Sequence, residues 1–598
     1  MEMRQNRDEF ILRYGVKGVN QSADPALLDF HQVQDAVNVQ IKNSSLTCRP
    51  GVKIHDLGVE GAFQGATFYN PSRGLSQQSF GSDEGSIVAR IGGKHYKITP
   101  SKSGVETSEM EVTSLDTEET YSSEDYHMAF MTQAENYIIS QDGNGSTWVW
   151  DGESPPVFSS GYDSVDKEES RLANSASAVG YAHGRVIQVV NNRQVLVGDI
   201  IHKKDLSSAE NILDMTEQVY WATGSFFSPP SELGRINAVK VLPLRDTAHG
   251  HGDLMFHTDE GIFSLDLTKY PRDKWVDEAI AKHVLLDTGA SGFYAITIFD
   301  GDQLFLSRHG LQTLRSARAE SQLLGNPFLP ISEQVKNYIG NDLRENFRFA
   351  SVEKFVEERR VMMTTQHVLG ANGNRGARGV LVINFLPQAG AEAAWEGLWT
   401  FPPEFGLLNQ LVSGVFNAQE RLFGFGTAED GKVRLMEFSK DMSSDILPDG
   451  DTRKIRWQVL TKAHTGGDEA GRKTYEKAVM TVRRITDEFK WKASSKTDES
   501  NWTDWHTGCA DGAQCGLETK PVRDIRVRLG SPPQETKTGT TFQMLLEMEG
   551  NGSLESIKLS LSRENGGNGS PSREGECDIL VSEEQGDSRF NPFEYSEQ

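Results

Sequence analysis

Between about residue 61 and residue 440 the chain repeats one unit: an apolar strand, a tight turn of Gly, Asn or Asp, and a second apolar strand. The unit occurs at 86–98, turning at Gly92-Gly93, at 137–150, and at 184–197, turning at Asn191-Asn192. It returns at 253–267, with Asp259-Glu260-Gly261, and at 303–314, with His309-Gly310. A longer version fills 360–385, and the last, at 421–438, turns at Glu429-Asp430-Gly431. Turn residues of these types accept positive φ and suit two-residue hairpins. Successive starts lie about 45 to 70 residues apart, the span of a four-stranded propeller blade with variable loops. A hairpin alone cannot bury both faces, whereas blades stacked around an axis can. The expected fold is therefore mainly β, with a six- or seven-bladed β-propeller over 61–445.

The flanking regions differ. Residues 1–60 read as an irregular N-terminal arm, with a short alternating stretch, Ala36 to Ile41, a turn at Asn43-Ser44-Ser45, and a stop at Pro50-Gly51. Residues 446–562 alternate strictly: Ile455, Trp457 and Val459; Ala478, Met480 and Val482; Phe489, Trp491 and Ala493; Ile525, Val527 and Leu529; Phe542 to Met548; and Ile557, Leu559 and Leu561. Period-two alternation means one buried and one wet face, so an additional antiparallel, sandwich-like domain of about six strands is expected. Its wet face carries Arg456, Lys490, Lys492, Arg526 and Arg528, which predicts docking on neighbours through polar contacts. Residues 563–598 read as linker and tail. Helices are expected at 205–215 and 332–339, the second with Ser332 as its cap.

The 598 residues carry a formal net charge of −24. Such a surface does not wrap duplex DNA through phosphate neutralisation, but it suits a wall past which DNA slides without sticking. No apolar run is long enough to span a bilayer as a helix. Four cysteines do not make a disulfide framework, which points to assembly in a reducing cytosol.

Three constellations have chemical potential. The stretch Ser140 to Trp148 is similar to the Asp-box turn of sialidase-type propellers, with one extra residue between Asp142 and Gly145. It also sets Asp142, Asn144, Ser146 and Glu153 at calcium-loop spacing, although Thr147 stands where glycine belongs. His249, His251 and His257 cluster around a Gly-rich segment, and His506, Cys509, Cys515 and Cys577 are the available zinc ligands. None has a complete ligand spacing, and the simpler reading of each is structural: a polar blade turn, a solvated loop, isolated thiols. There is no G-x-S-x-G, P-loop or H-E-x-x-H pattern. No catalytic, cofactor-binding or metal residue is assigned, no cofactor is expected, and the chain does not read as an enzyme.

The segments Asn20-Gln21-Ser22-Ala23-Asp24-Pro25, Gln34-Asp35-Ala36-Val37-Asn38-Val39 and Leu46-Thr47-Cys48-Arg49-Pro50-Gly51 occur in that order. Together with Trp150-Asp151-Gly152-Glu153-Ser154-Pro155, they resemble the tail nozzle and tail-hub stabilisation proteins of tailed bacteriophages, tail tubular protein B-like β-propellers. Ser44-Ser45 replaces that family's usual turn glycine. The resemblance implies a structural virion protein, assembled in the host cytoplasm as a homo-oligomeric ring, commonly a hexamer. Such a ring sits between adaptor or portal-side tail proteins and tail fibres, retains packaged viral DNA and passes it at ejection without sequence-specific binding. The alternative is a tail propeller that binds or degrades a host glycan, with Trp395 and Trp399, or Trp502 and Trp505, as stacking aromatics.

Overall fold

The computed structural model describes residues 7–12 and 17–563, apart from 72–84, 102–103, 117–120, 125–126, 164–169, 202–208, 219–225, 243–251, 268–271, 273–274, 276–280, 323–329, 341, 371–374, 386–392, 468–470, 487–488, 499, 511–524 and 530–536. All seven hairpins are present, each as the second and third strands of a blade. Blade 1 comprises Phe63–Tyr69, Ser86–Ile91, Lys94–Pro100 and Met110–Ser114. Blade 2 runs Phe130–Ala134, Tyr137–Gln141, Trp148–Trp150 and Val157–Phe158. Blade 3 runs Ala176–Ala182, Arg185–Val190, Gln194–Ile200 and Phe226–Phe227, and blade 4 Ile236–Leu242, Asp253–Thr258, Gly261–Leu265 and Ala281–Leu286. Blade 5 has three strands, Ile296–Phe299, Asp302–Ser307 and Gly310–Thr313, followed by the helix Leu314–Gln322. Blade 6 comprises Val352–Phe355, Arg360–Leu369, Arg375–Asn384 and Ala394–Thr400.

Blade 7 decides the count and the closure. Its first three strands, Leu407–Phe416, Gln419–Thr427 and Lys432–Phe438, are consecutive, but its outer strand is Val52–Glu60, from the other end of the chain. The first strand of each blade packs on the first strand of the next, from blade 1 through blade 7 and back to blade 1. The propeller is thus seven-bladed. Its ring is fastened by hydrogen bonds between residues far apart in sequence, because an unpaired last blade would leave an open sheet edge.

The second unit is a sandwich of two sheets. One has the order Val39–Lys42, Ser45–Cys48, Ser553–Arg563, Lys473–Arg483 and Ile525–Leu529; Arg7–Leu12 pairs with Ser553–Arg563, and Lys537–Gly539 with Lys473–Arg483. The other has Val33–Val37, Arg456–Thr461, Phe542–Glu549, Phe489–Thr497 and Thr503–Ala510. The six alternating runs are strands here. Trp457, Val459, Met480, Trp491, Leu546 and Ile557 meet between the sheets, and Tyr475 stacks on Phe542 at 4.7 Å.

Three boundaries differ from the sequence reading. The segment read as an arm, 1–60, is divided between the two units within its own chain: Val33–Val37, Val39–Lys42 and Ser45–Cys48 belong to the sandwich, and Val52–Glu60 closes the propeller. Period and propensity identify strands but not their partners, which here lie hundreds of residues away. Next, the strands Ser444–Ile446 and Thr452–Lys454 pair with each other and with Val52–Glu60, so the edge of blade 7 extends past 446. Finally, the sandwich does not dock through polar contacts alone: its core is continuous with apolar residues of blades 5 and 6, including Phe299, Leu311, Leu381 and Trp395. Three of its cationic strand residues are matched across strands, Arg456 and Lys490 lying opposite Glu549 and Lys492 opposite Glu547, whereas Arg526 and Arg528 lie opposite Thr481 and Val479.

Of the expected helices, 202–208 lies outside the described residues, and Glu210–Leu213 is helical, with Ile212 and Leu213 buried. The second is the 3-10 turn Ile331–Val335 running into the helix Lys336–Gly340. Ser332 does not cap it. Its hydroxyl accepts the Leu311 amide at 2.9 Å and ties this turn to blade 5.

Candidate functional site

The crossing between sandwich and propeller includes Asn38, Arg49 and Gly51, from two of the four segments that carried the family resemblance. Asn38 stands where the chain leaves one sheet of the sandwich for the other, at φ +56°, a left-handed conformation that asparagine tolerates better than most residues. Its side chain accepts the Thr400 amide at 2.7 Å and donates to the Arg456 carbonyl at 2.9 Å. Arg49, 2% exposed, forms a two-pronged ion pair with the buried Asp445, at 2.8 and 2.7 Å. Asp445 also accepts the Val52 amide. A Cβ on Gly51 would stand 2.0 Å from the Ser444 carbonyl oxygen, so only glycine fits this passage. Beside it, the buried pair Arg360–Glu396 reaches the sandwich through Gln40 and the Ile41 amide.

The Asp-box-like turn joins the second and third strands of blade 2 and faces blade 1. Asp142 accepts the Asn144 and Gly145 amides at 2.9 and 2.7 Å, and its other oxygen accepts from the Arg90 guanidinium at 3.2 Å. Both carboxylate oxygens are therefore engaged by protein donors. Next to it is an arrangement that sequence inspection missed. Asp116 Oδ2 lies 2.7 Å from His95 Nδ1, and His95 Nε2 lies 2.9 Å from Ser140 Oγ. Asp116 accepts from Nδ1–H, so Nε2 is the acceptor for the Ser140 hydroxyl. This is the connectivity of a nucleophilic triad. Yet His95 and Ser140 have no exposed surface, Trp148 stacks on the imidazole at 3.9 Å, and its indole N–H bonds Asp116 Oδ1 at 3.0 Å. Burial keeps His95 neutral, with a lowered pKa. No substrate reaches Oγ; the contact cements two blades. Its members are 21 and 45 residues from His95, a spacing with no local signature.

The other constellations disperse. His257 is buried in blade 4, where it accepts the Ala290 amide and meets Gln303 at 3.0 Å; burial pushes its pKa down to about 4. His249 and His251 lie outside the described residues, as do Cys515, Cys577 and the side chains of His506, Cys509 and Trp505. Trp395 and Trp399 are core residues, donating to the Ile331 and Val39 carbonyls. Trp502 is 38% exposed beneath the Lys496 ammonium. Among the described residues, no helix is long and apolar enough to cross a membrane.

A concave feature of the propeller lies at the end where the first strands begin. Phe130 meets Phe293 edge-on at 5.3 Å, and Tyr294 donates to the Ala129 carbonyl at 2.6 Å, so aromatic side chains from blades 2 and 5 bridge the axis there. Beside this plug opens a cavity of about 410 Å³ lined by Arg235, Arg308, Arg344, Arg348 and Arg375. Arg235 and the blade 4 turn residues Asp259 and Glu260 form one wall, with Arg235 paired to Asp259 at 3.3 Å. Arg308, from the blade 5 turn, pairs with Glu260 at 2.6 Å. Arg344 and Arg348 lie on the 3-10 segment Arg344–Phe349 between blades 5 and 6, and Arg375 opens the third strand of blade 6. Arg348 and Arg375 both lie over the Phe349 ring, at 4.5 and 4.9 Å. Burial, then the positive charges of Arg375 and Arg235, lower the Arg348 pKa.

No family model and no curated protein matches this chain. Similar solved structures include a computationally designed protein, Ika8, at 10% identity over 65% of this chain and 100% of that one, TM-score 0.32. Others are the WD40 β-propeller domain of Doa1 (9% identity, 60% and 90% covered, TM-score 0.31) and BBS1N in complex with ARL6DN (10% identity, 45% and 73% covered, TM-score 0.26).

Proposed function

We propose that this protein is a non-catalytic structural component of a bacteriophage tail, a subunit of a ring that continues the DNA channel, retains packaged DNA and passes it during ejection. The observation that carries this reading is the position of the resembling residues. Asn38, Arg49 and Gly51 are where the chain switches sheets and crosses into the propeller, so a motif shared for architectural reasons has an architectural place here. A net charge of −24 supports it further, because a wall that neutralised phosphates would hold the DNA it has to release. Aromatic side chains bridge the propeller's own axis, so the channel of this ring runs between subunits, with acidic residues facing the bore.

Electron microscopy of the purified chain and of virions containing it tests the reading. The expected result is a closed ring, hexameric in the simplest case, on the tail axis. A peripheral position would overturn it. So would an excess of Lys and Arg over Asp and Glu on the bore, or turnover of host glycan abolished by one acid-to-amide substitution.

A further inference from the structure

Each innermost strand of the propeller carries half-buried side chains in its interior, among them Thr67, Thr132, Lys240, Glu353 and Ser413 of blades 1, 2, 4, 6 and 7. Both faces of these strands pack on neighbouring blades, so the space that such residues meet lies along the axis. It forms a well floored by the plug residues Phe130 and Phe293. Two of its side chains carry opposite charges. The Lys240 ammonium lies over the Phe293 ring, 5.4 Å from its centroid, and has no hydrogen-bond or ion-pair partner among the described residues. Glu353 is held through one oxygen. Its Oε1 accepts from the Ser413 hydroxyl at 2.9 Å, the Thr297 hydroxyl at 3.4 Å and the Lys354 amide at 3.0 Å, whereas Oε2 has no donor among the described residues. Blade 5 separates the two blades that bear these charges, so they act on each other across the axis, yet they do not pair. Burial lowers the Lys240 pKa and raises that of Glu353, so each charge is costly where it stands. Lys354 is the other cation whose field reaches both.

We infer that this axial well is a binding site for a small zwitterion, an α-amino acid with an apolar side chain, its carboxylate on Lys240 Nζ and its ammonium on Glu353 Oε2. An anion alone would satisfy Lys240 but face the Glu353 carboxylate, and a cation alone would do the reverse. A ligand that carries both charges neutralises both groups at once and replaces their lost hydration with charge-assisted hydrogen bonds. Val241, Leu242 and Ile298, half-buried on the strands that bear Lys240 and Thr297, supply apolar wall for its side chain. The site is independent of the tail reading and would stand if the chain had another role.

Calorimetric titration of the full chain with L-valine and with glycine tests the site, alongside isovalerate and isobutylamine, which share valine's branched group and carry one charge each. One saturable site per chain is expected for valine, tighter than for glycine, with both singly charged probes weaker by about tenfold or more. K240M removes a charge that has no protein partner, so it should fold, as thermal melting would verify, and should weaken valine by about tenfold or more. E353Q keeps an acceptor for Ser413 and loses the charge, so it should weaken valine by less. R193Q, on the exposed blade 3 turn, removes a remote charge and should leave binding intact. Absence of saturable binding of either amino acid at millimolar concentration would overturn the inference, as would undiminished binding by the folded K240M or E353Q chain. Isovalerate or isobutylamine binding as tightly as valine would overturn the zwitterion and assign the well to a simple ion.

Discussion

In the propeller, strands adjacent in space are adjacent in sequence, except where Val52–Glu60 closes blade 7. In the sandwich almost the reverse holds: Leu46 pairs with Leu554, and Val33–Val37 with Arg456–Thr461. Both units bury alternate residues of antiparallel strands, but the sandwich forms only when the two ends of the chain meet. Loop closure over such distances is slow and entropically unfavourable. The difference assigns the sandwich a second role: it fastens the propeller, because the strand that closes the ring emerges from it at Arg49-Pro50-Gly51.

The largest effect that would test this comparison is at the crossing. Arg49→Met leaves Asp445 buried without its cation and should cost about 3–5 kcal/mol. If the crossing couples the units, calorimetry should show the single unfolding transition splitting in two. One transition at an unchanged temperature would break the picture of a shared fastening.

Acid should weaken both units. His257 in the propeller and His464 beside the sandwich have pKa values pushed down by burial from 6.5, to about 4 and about 3. Between those values and 6.5 the unfolded chain binds the extra protons. Stability is therefore full above pH 6.5 and falls as pH drops toward 4, by on the order of 3 kcal/mol for His257. Urea titrations across this range should show the loss, and His257→Gln should flatten the propeller's share only. An unchanged profile in that variant would separate the acid response from the buried imidazole.

A smaller effect belongs to the contact between blades 1 and 2. Ser140→Ala removes the donor to His95 and should cost about 1–2 kcal/mol. A fluorophosphonate probe should leave Ser140 unlabelled in the folded chain; labelling would show that these blades part. The smallest expected change is a gain. Asn417 and Ala418 both have positive φ in the blade 7 hairpin, and Ala418 is exposed. Ala418→Gly should stabilise the hairpin by about 0.5–1 kcal/mol, read as a raised melting temperature. No gain would mean that this turn does not limit the strength of the closing blade.

Local chemistry was sufficient to identify the seven hairpins and the six alternating strands. Gly92-Gly93 and Asn191-Asn192 declare turns by their backbone preferences, and Trp457 or Met480 declares an inward face by its period. Innermost strands such as Ile296–Phe299 and Val352–Phe355 escaped notice because four residues are too few to show a period. What only the tertiary structure decided is everything that depends on which distant segments meet. The closing of blade 7 by Val52–Glu60, the ion pair of Arg49 with Asp445, the sealed contact of Asp116, His95 and Ser140, and the gathering of Arg235 with Arg375 are of this kind. Backbone preferences and hydrophobic period act over a few residues, so they leave a trace in the sequence. Charge pairing and burial act through space, and the residues that share them carry no mark of one another until the chain has folded.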